Sequence, residues 1–400
     1  MDPFNSSYIL NEKRWLWIDY DKGISIILVG FSHCYLTLSG HGLAMEKYPF
    51  FNYFNTFMYG FRMPLFFIVS GLLVGRSLLK KNYSGYLTDR LNNILFPLLI
   101  WGSVQVTLQL LAAKYTNNNT TPWYYLYLIT DPRLNPPFWY LNALFCIGSI
   151  YALLKAKLRL PPFVQVVFGF GLYAVNAWIK LYHHDFGFLN DICEYYFFFA
   201  LGDLVSDLLL NDGNIQRLTS WKIFVPLAIL FIGIQYHFTK INLIPNMYGV
   251  QLTEFKQPFW FMIEALLGCA ASLSFSFLLQ KYKVFNFIRI VGYHSLFIYC
   301  MHIITMSFTR ILFMNFLHIT NVPVLIIIVW SSGIILPIFF YNFCLKYGLW
   351  WLYTFKKPKK QVEYMKKADI FSLNFARLYP RSNGDSSSFN RELKDSNMLK

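Results

Sequence analysis

Apolar runs of about twenty residues recur along this 400-residue chain from residue 15 to residue 345. A helix needs roughly 20 such residues to cross the hydrocarbon core of a bilayer. Lipid cannot satisfy exposed backbone polar groups, so only helices and closed barrels cross it. The runs are continuous rather than alternating, which selects helices. The fold expected is therefore an all-α, polytopic membrane bundle. Ten spans are read, at 15–38, 56–79, 91–113, 137–154, 161–179, 191–210, 221–238, 257–280, 286–315 and 322–345. Only 14% of the residues are charged and 20% are aromatic, against about a quarter charged in a soluble domain.

The loop charges orient the spans. With the N-terminus in the cytoplasm, the inner segments carry Lys13, Arg14, Arg76, Lys80, Lys81, Arg90, Lys155, Lys157, Arg159, Arg217, Lys222, Lys281, Lys283, Arg289, Lys346, Lys356, Lys357, Lys359 and Lys360. The outer segments carry Lys47, Lys114, Arg133, Lys180, Lys240 and Lys256. Nineteen against six is a positive-inside bias, and it places both termini in the cytoplasm. The net charge of +15 thus has a topological origin, and no nucleic-acid partner is needed to explain it. The segment after Arg14 is too long for a removable signal and lacks a small-residue cleavage pattern, so it reads as the first span of a multi-pass protein of the cell (inner) membrane. Residues 1–350 read as one integral-membrane domain and 351–400 as a basic, partly disordered cytoplasmic tail. No internal repeat of the transporter kind stands out. The six cysteines fall in or beside apolar runs with no CxxC pair, as small packing residues do.

Ionisable groups within spans are costly and usually face the bundle interior, so they point to function. In LWIDYDKGISIILVGFSH (16–33), Lys22 and His33 are eleven residues apart. That is three turns plus about 20°, with a rise of roughly 16 Å, so both lie on one face. Asp19 precedes Lys22 by three and either pairs with it near the headgroups or joins the functional stripe. Arg62 is an intramembrane cation that could pair with Asp191, Glu194 or an incoming anion, or snorkel outward. Trp139 and Tyr140 suit an interfacial belt, and Asn142 needs a polar partner. Ser295, Tyr299 and His302 share a helix face, most simply as an interhelical hydrogen-bond network. Glu194 and Glu264 are buried-acid candidates. His183, His184 and Asp185 fit a solvated loop better than a metal site, and no metal is expected.

These stretches, in this order, resemble the acyltransferase-3 family of bacterial membrane acyltransferases, the polysaccharide and glycan O-acetyltransferase type. IDYDKGISIILVGFSH matches its basic residue, ten residues, then His, here Lys22 and His33. FRMPLFFIVSG, PFWYLNALF and GYHSLFIYCMH match three further family segments. The resemblance implies transfer of an acyl group, usually acetyl, from cytoplasmic acyl-CoA to a hydroxyl of a glycan or related acceptor beyond the membrane. Acetyl-CoA would be a substrate, with no permanently bound cofactor. The family's essential histidine falls on His33. Its Arg-x-x-Arg pair falls on DRLNNILFP, where Arg90 is kept and the second position is Asn93. Lys80 and Lys81 stand nearby as replacements.

The chemistry gives these residues work. A neutral imidazole can take the proton of an attacking hydroxyl, or attack the thioester itself and carry the acyl group. His33 suits either route, with Asp19 grouped with it in the catalytic set. The CoA phosphates need cations on the cytoplasmic side, for which Lys22, Arg90, Lys80 and Lys81 are the candidates. Arg62, Trp139, Tyr140, Asn142, Glu194, Ser295 and His302 are the candidates to contact substrate. The rival is a transporter or flippase for a polysaccharide or a lipid-linked precursor, which would move substrate without releasing free CoA.

Overall fold

A computed structural model describes residues 4, 6–11, 15–41, 43–112, 120–243 and 252–358. Lys13, Arg14, Lys114, Lys359, Lys360 and the tail 359–400 lie outside the described residues. The described residues form helices and loops with no strand. Eight stretches of helix are long and apolar enough to cross a membrane. We label the helices that matter here α1 (Leu16–Ser39), α2 (Tyr59–Gly71), α3 (Val74–Arg90), α4 (Phe96–Leu111), α5 (Trp139–Ala156), α6 (Pro162–Leu181), α7 (Phe188–Leu204), α8 (Trp221–Asn242), α9 (Pro258–Tyr282), α10 (Asn286–Tyr293), α11 (Ser295–Ile311) and α12 (Val322–Lys346).

Three expected spans take a different form. The second and sixth become α2 and α7, of 13 and 17 residues, shorter than the other crossing helices and deeply buried. Helix α2 runs through Pro64 and ends at Gly71. The expected ninth span divides at His294 into the short amphipathic α10 and the longer α11. Helix α3 breaks at Asn82, whose φ is 53° and whose Oδ1 accepts the Gly85 N–H at 3.1 Å. From there the chain runs through the turn Leu91–Leu95 into α4. Arg90 is thereby carried on the ascending helix rather than in a loop. The bundle also keeps the chain past residue 350: Tyr353 is buried and packs on Trp101, Phe297 and Tyr341.

Helix α1 is central, touching α2, α9, α10, α11 and α12. Its approach to α10 depends on two glycines. A methyl on Gly292 would run into the Asp19 carbonyl, and one on Gly23 into the Ile288 carbonyl with the Ile288 Cγ2 at 2.7 Å. Small residues at such crossings let backbones touch. Gly71 and Gly202 do the same where α2 crosses α7, facing the carbonyls of Phe199 and Ile68. Gly23→Ala should therefore destabilise the bundle by about 1–3 kcal/mol, read as a lower unfolding temperature in detergent. Gly171→Ala on α6, where a methyl meets nothing within 4 Å, is the matched control that should leave it unchanged.

Candidate active site

One turn of helix is 3.6 residues, so the eleven-residue spacing on α1 puts Lys22 and His33 on one face at different depths. Around Lys22 that face opens into a cavity of about 410 Å³. Its walls come from α1 (Lys22), α2 and its C-terminal turn (Phe66, Ser70, Leu73), α3 and the following turn (Val74, Ser77, Tyr86, Asp89, Arg90, Asn93, Ile94), α5 (Tyr140, Leu141, Leu144) and α11 (Ser295, Leu296, Tyr299). Arg90 is held in place: its Nε donates to the Tyr86 hydroxyl at 2.7 Å and its guanidinium lies over the Tyr86 ring. Gly148 on α5 makes room for it, since a methyl there would come 3.0 Å from the Arg90 Cζ. The cavity thus has cations at the end of the bundle that carries the basic loops, and aromatic walls deeper in.

Beyond Tyr299, one turn along α11, lies His302. Its ring is 5.7 Å from the Tyr299 ring and 5.1 Å from the His33 ring. His302 is wholly buried, whereas His33 is partly accessible. The Tyr299 hydroxyl donates to the Pro137 carbonyl at 2.5 Å. Arg62 braces the turn before His33, donating to the Leu28 carbonyl at 3.3 Å and the Ser32 hydroxyl at 2.9 Å, with its guanidinium over Tyr59. It does not pair with Asp191 or Glu194.

Those acids belong to a second charged cluster towards the opposite end. Arg133 meets Asp191 at 2.6 Å and Glu194 at 3.7 Å. Lys180 bridges Glu194 at 2.9 Å and Glu254 at 3.2 Å, and the Tyr59 hydroxyl donates to Glu254. Burial disfavours the charge on Arg133, but Asp191 and Glu194 outweigh it and hold the guanidinium well above its usual pKa. Burial likewise raises Glu254, yet Lys180 and Arg133 outweigh it and keep the carboxyl below the usual value. Arg133 also covers the face of Trp139.

The structure therefore brings together His33, His302, Tyr299, Ser295, Tyr140, Lys22 and Arg90 around one cavity and its inner end. It does not bring Asp19 there. Asp19 is fully buried against α10, 3.9 Å from the Nε of Arg289, whose other nitrogens donate to the Ile9 and Leu10 carbonyls. Asp19→Ala should cost about 1–3 kcal/mol of stability while the folded fraction keeps its turnover within about threefold (roughly 0.65 kcal/mol); an unfolding scan and a rate assay on the same preparation separate the two effects. Lys80 is exposed, and the exposed Lys81 pairs with Asp89; neither lines the cavity. Asn142 donates to the Leu128 and Ile129 carbonyls, closing the end of the helix Tyr124–Thr130. Glu194 and Trp139 belong to the second cluster. Asp185 organises its loop by accepting from the Gly187 N–H and Asn190 Nδ2. Among the described residues no three His, Cys, Asp or Glu side chains gather as a metal site would require.

The sequence reading passed over Tyr86, Ser70 and Ser77 in the cavity, and the ties of Arg133 and Lys180 to buried acids. Tyr86 carried a usable signal, being four residues before Arg90 on the same helix face. Arg133 and Lys180 carried none, because each finds its partners only through long-range packing.

An acyltransferase domain family matches residues 15–355 of this chain. Inner membrane protein YcfT of Escherichia coli is 32% identical over 96 residues, which cover 22% of this chain and 27% of that protein. Nodulation protein NolL of Mesorhizobium japonicum is 33% identical over 96 residues, covering 24% of this chain and 25% of NolL. The chain spans about a quarter of the length of these curated relatives. No solved structure matches.

Proposed function

This chain belongs to the acyltransferase-3 family, and on that premise we propose that it moves an acyl group, acetyl in the simplest case, from acyl-CoA to a hydroxyl of a cell-surface glycan, with His33 as the base. The observation that supports this most is the cavity that starts at Lys22 and Arg90 and ends at Tyr299, beside the His33–His302 pair. Its shape and charge suit the donor. Phosphates of CoA meet the two cations, and the pantetheine arm runs inward along the stripe between Lys22 and His33, a rise of roughly 16 Å. The positive-inside bias supports a cavity mouth on the cytoplasmic side of the membrane.

In the reaction the acceptor oxygen forms a bond to the thioester carbonyl carbon while His33 takes the hydroxyl proton. The tetrahedral centre collapses, the carbon–sulfur bond breaks, and the thiolate leaves with its electron pair. His33 returns the proton to sulfur, so the cycle closes with ester, free CoA and neutral imidazole. Membranes expressing the chain, incubated with radiolabelled acetyl-CoA and a cell-envelope glycan fraction, should move label into the glycan in a base-labile ester. Label that stays on CoA with every glycan fraction would reject the reading.

A further inference from the structure

A base imidazole works only if the nitrogen facing the substrate carries the lone pair. In known arrangements the other nitrogen donates its N–H to a carboxylate or a backbone carbonyl, and that bond fixes the tautomer. His33 has no such bond: its ring makes no hydrogen bond within the protein among the described residues, and no carboxylate stands beside it. The neighbours that act on it electrostatically are His302 and Arg62, and Arg62 can only donate.

His302 supplies the missing acceptor. Its Nδ1 lies 3.1 Å from the Ile298 carbonyl and 2.9 Å from the Tyr299 carbonyl of its own helix. Carbonyl oxygens only accept, so Nδ1 carries the hydrogen and the neutral ring holds its lone pair on Nε2. That Nε2 is buried and has no hydrogen-bond partner among the described residues. A buried polar atom without a partner costs stability, which a functional role explains. Two imidazoles sharing an N–H···N bond of about 2.9 Å have ring centres roughly 5 Å apart. The rings of His33 and His302 are 5.1 Å apart, tilted by 57°, a separation that fits such a bond. Catalytic bonds are often unmade in the resting enzyme and tighten on substrate binding.

We propose that His302 is the positioning residue of this site. Its Nε2 accepts the N–H of His33, which leaves the opposite His33 nitrogen as the base and steadies the imidazolium formed during transfer. The inference rests on the reading of His33 as base, and it replaces the usual carboxylate by a second imidazole whose own tautomer is set by the helix backbone of α11.

The test uses the full chain in proteoliposomes with acetyl-CoA as probe. His302→Ala should lower kcat by about 10- to 100-fold, the range for lost partners of a functional histidine, with the donor KM nearly unchanged. His302→Gln, whose side-chain oxygen can accept, should recover a large part of that loss. Nitrogen-15 spectra of the wild-type protein saturated with donor should show His33 as one tautomer, and His302→Ala should mix the two. An unchanged kcat in His302→Ala, equal losses in Ala and Gln, or a mixed tautomer in the donor-bound wild type would each overturn the proposal. If His33→Ala keeps its transfer rate, it is the base reading that fails, and that result is separate from the tautomer measurement.

Discussion

Replacing His33 with alanine should lower the rate of acyl transfer by roughly 10²- to 10⁴-fold, the usual contribution of a positioned base, without lowering the yield of folded protein. His33 makes no hydrogen bond among the described residues, and its ring is partly accessible, so the fold loses little when it is removed. Donor binding should also survive, because Lys22 lies about three turns away along α1 and Arg90 stands on another helix. Loss of kcat with unchanged donor affinity is the signature of an interaction made only in the transition state. The same variant bears on the route of transfer. If His33 were to carry the acyl group, the wild-type protein would release one equivalent of CoA in a burst before acceptor is added. As a base it would release none until acceptor is present.

The double replacement Lys22→Ala/Arg90→Ala should raise the donor KM by about 100-fold or more and leave the acceptor KM alone. Each hydrogen bond to a charged group contributes about 1.5–3 kcal/mol, and a tenfold change in affinity is about 1.4 kcal/mol. The two side chains reach the cavity from different helices, so their losses should be close to additive. Lys80→Ala/Lys81→Ala tests the alternative placement of the cations. Both side chains are exposed outside the cavity wall, so that variant should bind donor nearly as the wild type does. Gly148→Ala should weaken donor binding too, by less, since its methyl would press on the Arg90 guanidinium without removing it.

Much of this site was legible along the chain because its key residues lie within single helices. Lys22 with His33, and Ser295 with Tyr299 and His302, are read from helical phase alone; in the structure Lys22, Ser295 and Tyr299 line one cavity, and the His33–His302 pair lies beside Tyr299. The all-α character was equally plain, since long apolar runs have one solution in lipid. What could not be read depends on partners far apart in the chain. Asp19 shares nearly the stripe of Lys22, yet it turns to Arg289, 270 positions away. The phase difference of about 60° between residues three apart is enough to give it a different neighbour. Asp191 and Glu194 look like partners for Arg62 along the chain, but those acids are held by Arg133 and Lys180. The break at His294 was hidden because α10 and α11 are both apolar enough to read as one span. The break at Asn82 falls in the polar segment 80–90 between the second and third expected spans; only the residue at which the helix breaks could not be read.

The most direct test of His33-dependent transfer from the basic end is free CoA release in sealed, oriented proteoliposomes. Acetyl-CoA is added only to the face bearing the basic loops, and the glycan acceptor is enclosed on the other. Thiol should appear on the acetyl-CoA side in one-to-one ratio with ester formed on the acceptor side, and both should vanish in His33→Ala. Glycan crossing the bilayer with no thiol released, or release that persists in His33→Ala, would show that this site does not perform the transfer proposed for it.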